Sequence, residues 1–221
     1  MLALAAALAC GQLGTDLDQV VALEVFLPDS GRVEVTDTLR PRARALNGRG
    51  DSVAAQVYWR SLDTAIVVVV DSATGVTFAK AVGIGRLQAR VDSLRTDPQS
   101  IVVVPPLDSA SAAGPVRDTI TVSAPDSLSD SLLVKAWAGT SGSAGRRVVY
   151  AVDTIYTGGA TTVTFVPKDT VKTNTGGVAA AQLRLAAGTR PDSVVVTAVL
   201  RRLDGTPVPG APVTFVVEFR P

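Results

Sequence analysis

The chain of 221 residues contains no histidine and a single cysteine, Cys10. A disulfide within the chain is therefore impossible, and a zinc site built from histidine and cysteine is excluded. A Ser-His-Asp triad and a Cys-His pair are excluded for the same reason. We accordingly expect a protein that is not an enzyme, with no catalytic residue, no bound metal and no cofactor.

Aromatic residues make up only 5% of the chain, and glutamate occurs only at positions 24, 34 and 218. Long helices favour glutamate and lysine, whereas valine, which is abundant here, favours strands. The composition therefore argues against a helical protein, although genomic base composition is an alternative cause. The length suits one large or two ordinary domains.

No block of lysine or arginine stands out, and the formal net charge is +1. The longest basic cluster, Arg40, Arg42 and Arg44, alternates with apolar residues, which indicates the solvated face of a strand. A nucleic-acid surface would need a basic face with base-stacking aromatic residues. We therefore expect no nucleic-acid partner.

Short apolar runs separated by turn residues follow one another along the chain, as is typical of an all-β sandwich. The stretch 50–85 shows this most clearly, with three strands around turns at 62–64 and 71–75. Neighbouring side chains on a strand face opposite sides. Trp59 is therefore predicted to fill the core between two sheets, and Tyr58 to face solvent.

Specific motifs follow in order through the first half. They are Leu23-Glu24-Val25, Val35-Thr36-Asp37-Thr38-Leu39, Val57-Tyr58-Trp59-Arg60-Ser61-Leu62-Asp63, Val69-Val70-Asp71, Thr74-Gly75-Val76, Ala81-Val82-Gly83 and Leu87-Gln88-Ala89. In these motifs residues 20–104 resemble the bacterial immunoglobulin-like domain, group 2. Members of that family are accessory modules of bacterial surface proteins, which implies a non-enzymatic surface role.

A second set of motifs lies in the other half of the chain. They are Thr173-Asn174-Thr175-Gly176-Gly177-Val178-Ala179, Leu183, Val194-Val195-Val196-Thr197-Ala198 and Val213-Thr214-Phe215. Residues 148–219 are similar in them to the bacterial immunoglobulin-like domain, group 1, of invasin and intimin type. Trp137 is predicted to be the core tryptophan of this domain.

The predicted fold is all-β, with two tandem immunoglobulin-like β-sandwich domains. The first domain covers 20–104 and the second, group 1-like, covers 116–221. The segment between them, 105–115, is rich in proline, serine, alanine and glycine, which predicts a linker.

The N-terminus contains an apolar block that ends at Ala7-Leu8-Ala9-Cys10-Gly11. The block is too short to span a bilayer. It resembles a bacterial lipoprotein signal, so 1–10 is predicted as a signal segment, Cys10 as the lipid anchor and 11–19 as a tether. The absent positive n-region suggests a start further upstream. The alternative is a buried cysteine in an N-terminal helix. Gly11 after the cysteine implies, by resemblance, the outer membrane of a Gram-negative bacterium.

The sequence offers two further candidate sites. Asp16 and Asp18 could ligate calcium, but two carboxylates in a tether are more often simply solvated. Tyr58 is the exposed candidate for stacking against a sugar. The predicted function is a cell-envelope lipoprotein acting as a surface spacer, display or adhesion module, and the alternative is glycan binding through a sheet face or loops. The expected partners are a membrane, through the lipid, and a protein or glycan at the cell surface.

Overall fold

The computed structural model describes residues 17–121, 128–156 and 160–220. These residues form strands, short turns and one 3-10 turn at Pro28–Gly31, with no α-helix among them. The strands belong to two successive sandwiches, as the sequence predicted. No helix in the described ranges is long and apolar enough to cross a membrane.

The first sandwich contains β1 to β11. Their bounds are β1 Val20–Phe26, β2 Arg32–Glu34, β3 Thr38–Leu39, β4 Arg42–Asn47, β5 Ser52–Val53, β6 Tyr58–Ser61, β7 Val67–Asp71, β8 Val76–Ala79, β9 Gly83–Val91, β10 Leu94–Arg95 and β11 Gln99–Val104. One sheet has the order β10-β9-β11-β2, with β6 also paired to β9, and it faces the sheets β1-β4-β5 and β3-β8-β7. The strand β2 runs parallel to β11.

The second sandwich contains β12 to β21. Their bounds are β12 Ser109–Ala112, β13 Arg117–Thr121, β14 Leu132–Ala138, β15 Ser141–Gly142, β16 Arg147–Tyr156, β17 Thr161–Val166, β18 Thr170–Lys172, β19 Val178–Gly188, β20 Ser193–Leu200 and β21 Val213–Arg220. One sheet has the order β12-β14-β19-β17, with β15 also paired to β14, and the other has the order β13-β21-β20-β16-β18. Strand β13 runs parallel to β21.

Each sandwich has its own apolar core. The first core is built around Trp59, Leu87 and Ile101, and the second around Tyr150, Leu183 and Phe215. Alternation produces these cores: along β9, Leu87, Ala89 and Val91 are buried, while Arg86 and Arg90 on the other face are exposed. The two cores share no residue.

The segment 105–115, predicted as a linker, is folded into the second sandwich from Leu107 onward. Leu107 is fully buried in the second core, and Ala110 is buried beside it. Strand β12 then pairs with β14, and the Ala110 amide donates to the carbonyl of Pro209. Small alanine and serine side chains let β12 lie along the sheet, which is why a composition typical of linkers forms a strand here.

Candidate functional site

The connection between the sandwiches is only two residues long. Strand β11 ends at Val104, whose carbonyl accepts a hydrogen bond from the Val35 amide in the first sandwich. Leu107 already belongs to the second core, so Pro105 and Pro106 alone lie between. Proline fixes φ, and the chain has little freedom to change direction at this point.

A buried ion pair joins the two sandwiches beside this connection. Arg146, which directly precedes β16, donates from Nη1 to Oε1 of Glu34 at the end of β2, at 2.6 Å. Arg146 and Glu34 side chains are 2% and 1% exposed. The other guanidinium nitrogens donate to the Ser143 hydroxyl at 2.8 Å and to the Pro105 carbonyl at 2.5 Å. One side chain therefore binds the first sandwich, the connection and its own loop.

One more arginine spans the junction, and another lies beside it. Arg32 of β2 donates to the carbonyls of Gly145, at 3.3 Å, and Ala144, at 3.1 Å. Gly145 has φ +70°, a conformation that favours glycine, and a Cβ there would lie 2.2 Å from Nη1 of Arg32, which would have to move. On the other side, Arg202 donates to the Leu107 carbonyl at 2.8 Å and fixes the start of the second sandwich.

Burial sets the electrostatics of the ion pair. Loss of hydration raises the pKa of the Glu34 carboxyl, and the attraction of Arg146 offsets this only in part. The same loss of hydration lowers the pKa of Arg146. Burial also raises the pKa of Asp37, and the charge of Asp204, from the other sandwich, adds to that effect. The main effect of the pair is therefore to fix the placement of one sandwich against the other, and its net contribution to stability is smaller.

Two open clefts flank the junction. The larger, about 410 Å³, is lined mainly by arginines and aliphatic side chains of the second sandwich, with Asp29 as its one carboxylate. The smaller, about 210 Å³, lies between Asp29, Asp37 and Arg40 of the first sandwich and Leu203 and Asp204 of the second. Residues of both sandwiches line each cleft.

The structure places Trp59 and Tyr58 as the sequence predicted. Trp59 is 5% exposed in the first core, and Tyr58 is 41% exposed on the opposite face of β6. Gly75, in the turn between β7 and β8, has φ +76°, and a Cβ there would lie 2.8 Å from Cδ1 and Nε1 of the indole. The Gly turn therefore closes directly over the tryptophan ring.

The prediction for Trp137 is wrong. Trp137 lies on the outer face of β14, partly exposed, with its Nε1 donating to the Ser111 hydroxyl at 3.1 Å. The ammonium of Lys135 lies 3.8 Å from the Trp137 ring centroid. The inward positions of this strand are Leu132, Val134 and Ala136. Tyr150 and Phe215 supply the aromatic rings of the second core instead.

The predicted anchor, Cys10, lies outside the described residues, as does Asp16 of the possible calcium site. Its companion Asp18 lies 3.6 Å from Nη1 of Arg49, across the turn after β4. Within residues 17–121, 128–156 and 160–220, no group of three or more metal-binding side chains converges. Tyr156 is exposed, and Tyr150 is buried with its hydroxyl donating toward the Leu132 and Ala179 carbonyls.

The sequence reasoning missed the junction. Arg32, Arg146 and Arg202 lie in three separate stretches, and their partners are either backbone carbonyls or a glutamate 112 residues away. The one local signal was the rarity of glutamate, because Glu34 is one of three in the chain. Alternation places Glu34 on the face opposite Val33 and Val35, so the local pattern did not indicate that this side chain is buried.

Comparison with known proteins gives matches among solved structures alone. No protein-family model matches the chain, and no curated protein matches it. The adhesin InvE of Yersinia pseudotuberculosis is similar at 15% identity and a TM-score of 0.41, over 89% of this chain and 59% of that one. This chain thus spans less than two thirds of the adhesin structure.

Two other solved structures are similar at lower scores. Domains 4 and 5 of the S-layer protein SbsC match at 13% identity and a TM-score of 0.34, over 92% of this chain and 100% of that one. The D0-D1 domain of intimin matches at 14% identity and a TM-score of 0.30, over 88% of this chain and 94% of that one. The two sandwiches themselves are defined by their strand pairing and their separate cores.

Proposed function

We propose that this chain is a non-enzymatic cell-envelope module in which two immunoglobulin-like sandwiches form a stiff spacer. A lipid on Cys10 anchors it to the outer membrane of a Gram-negative bacterium, and the spacer displays or adheres at a distance from that membrane. The observation that carries the proposal is the buried Arg146–Glu34 pair between the sandwiches.

A spacer needs a fixed angle between its units, because a flexible joint would let the outer unit fall back toward the membrane. Interfaces between domains of one chain usually permit relative motion. Here the pair is buried, the connection has two prolines, and Arg32 and Arg202 add hydrogen bonds across or beside it. Bending the joint would leave a carboxylate and a guanidinium unpaired in a site shielded from water, which is costly.

The first experiment measures the angle. Spin labels on cysteines at the exposed positions 51 and 190 report the distance between the sandwiches in a chain where Cys10 is replaced by serine. We expect a single narrow distance distribution, broadened by Arg146→Met and unchanged by Arg147→Met, its exposed neighbour. A broad distribution in the unmodified junction would contradict the stiff spacer.

The second experiment tests the anchor. We expect the native protein to fractionate with membranes and to incorporate a palmitate analogue, and Cys10→Ala to release it to the soluble envelope fraction. Several acyl chains are needed for stable anchoring, since one chain binds only reversibly. A soluble wild type that retains Met1 would rule out the anchor and leave the stiff junction as a separate finding.

A further inference from the structure

The outer face of the first sandwich carries three arginines on neighbouring strands. Tyr58 of β6 is paired across the sheet with Arg90 of β9, and Arg90 with Arg95 of β10. In the next row, Arg60 of β6 is paired with Gln88 of β9. Directly opposed residues share a face and lie about 5 Å apart. These side chains form one surface, here named the arginine face: Tyr58, Arg60, Gln88, Arg90 and Arg95.

The arginine face holds its cations in place without neutralising them. Arg60 donates from Nε and Nη2 to the Gln88 amide oxygen, at 3.0 and 2.5 Å, and Gln88 donates in turn to the Thr96 carbonyl at 2.7 Å. The Arg90 guanidinium carbon lies 5.5 Å from the Tyr58 ring centroid. Arg60 and Arg90 are therefore oriented by a neutral amide and by an aromatic ring, and neither contact removes charge.

Other arginines of the same sandwich do have carboxylate partners. Arg86 binds Asp63 at 2.8 Å, and Arg44 binds Glu24 at 2.5 Å. Across the part of the chain that the structure describes, Arg60, Arg90 and Arg95 form no ion pair. An open cleft of about 340 Å³ lies over them, and its lining contains three arginines and no carboxylate. Like charges grouped in this way repel, and an anionic ligand would relieve the repulsion.

We infer that the arginine face binds an acidic polysaccharide, with a sugar ring against Tyr58 and its carboxylate or sulfate groups on Arg60, Arg90 and Arg95. Guanidinium groups suit such planar or multidentate anions, because their parallel N–H groups form paired charge-assisted hydrogen bonds. The half-exposed phenol ring supplies an apolar plane beside those charges. This site depends neither on the anchor nor on the junction, so it goes beyond the spacer role.

A polysaccharide fits better than the other polyanions. Single-stranded nucleic acid is bound on several aromatic rings that stack successive bases. The arginine face offers Tyr58 alone, and Arg90 lies against that ring. An extended chain of charged sugars needs one flat apolar contact and several cations along an open sheet, which is the arrangement found here.

The test uses the full chain carrying Cys10→Ser, with a heparin oligosaccharide and oligogalacturonate as acidic probes and dextran as the neutral one. Binding is measured by titration calorimetry. We expect the triple variant Arg60→Gln/Arg90→Gln/Arg95→Gln to weaken acidic-probe binding by about tenfold or more. Tyr58→Ala should weaken it by about threefold. Dextran should not bind.

The matched control removes three exposed arginines of the second sandwich, Arg147→Gln/Arg190→Gln/Arg201→Gln, and changes the net charge equally. It should leave binding nearly unchanged, and the melting temperature of each variant shows whether it remains folded. Equal losses in both triple variants, or no loss in Tyr58→Ala, would mean diffuse charge attraction and overturn the inference. Binding of oligo-dT as tight as that of the acidic sugars, between about 50 and 200 mM NaCl, would overturn it too.

Discussion

Arg146 and Glu34 are 112 residues apart in sequence, yet their side chains lie 2.6 Å from each other with almost no exposure to water. Each comes from a different sandwich, so the pair exists only when both are folded and docked. Burial disfavours the charged form of both groups. The pair therefore holds the two sandwiches in one specific arrangement, and its removal should destabilise both of them.

The first prediction is a double-mutant cycle on this pair. Arg146→Met leaves a buried carboxylate and should lower the free energy of unfolding by about 3–5 kcal/mol, and Glu34→Met should have a similar effect. The double variant replaces both charges with apolar side chains and should lose less than the sum of the two. Urea unfolding measures all three.

The matched control for this cycle is Arg147→Met. Arg147 directly follows Arg146 but is exposed, and its substitution should change the free energy of unfolding by less than about 0.5 kcal/mol. Additive losses from the two single variants would show that the charges are not coupled.

The second prediction concerns the glycine over Trp59. Gly75→Ala places a methyl group 2.8 Å from the indole in a backbone conformation with φ +76°. Gly50 has φ +83° with no atom within 4 Å of its would-be Cβ. Gly50→Ala should cost only the backbone strain, about 1–2 kcal/mol. Gly75→Ala should cost clearly more and shift the Trp59 fluorescence, measured with Trp137→Phe as background. Equal costs would mean that the turn moves away freely.

The third prediction separates two aromatic residues of the second sandwich. Phe215 is fully buried, and Phe215→Ala should cost about 3–5 kcal/mol through the cavity it leaves. Trp137→Ala removes an outer-face side chain, with one hydrogen bond and a contact to Lys135, and should cost about 1 kcal/mol. Thermal unfolding measures both. A larger loss for Trp137→Ala would contradict its placement.

The fourth prediction is a dependence on alkaline pH. Burial raises the pKa of the Tyr150 phenol above its ordinary value near 10. Because the pKa of Tyr150 is higher in the folded state than in the unfolded chain, its neutral phenol contributes fully to the free energy of unfolding below the pKa of the unfolded chain. This contribution is lost as the pH rises above the pKa of the unfolded chain. We therefore expect the melting temperature of the second sandwich to fall above about pH 10.

Tyr150→Phe is the control for that dependence. It should cost about 1 kcal/mol at neutral pH, because the Leu132 and Ala179 carbonyls lose their shared donor, and it should flatten the alkaline decline. An identical decline in the variant would assign it to other groups.

The part of the fold that can be predicted from the sequence is encoded by the local alternation of apolar and polar residues along each strand. Trp59 was placed correctly because turns on both sides defined its strand, and Arg40 was placed on an outer face because apolar residues alternate with it. Trp137 was misplaced although Lys135, two residues earlier, shares its face and indicates solvent. The apolar side chains on both faces of β14 hid this signal.

The junction could not be predicted, because no short-range pattern encodes it. The Arg146–Glu34 contact requires both sandwiches to be built and placed before the two groups meet. The arginine face was visible only in part: Tyr58 was expected on the surface, but its neighbours Arg90 and Arg95 follow from the register of three strands. The sequence shows which residues are present, but it does not show that these residues lie next to one another in the folded protein.

The parallel pairing of β13 with β21 has a mechanical consequence. Their register runs from Arg117 opposite Val216 to Thr121 opposite Arg220. Opposite forces applied at the start of β13 and at the end of β21 pull the two strands past each other along their length. All the hydrogen bonds of the ladder are then loaded in shear at once, whereas a hairpin pulled from its open end would unzip bond by bond. The pairing of β13 with β21 is thus suited to bear a stretching load applied between Arg117 and Arg220.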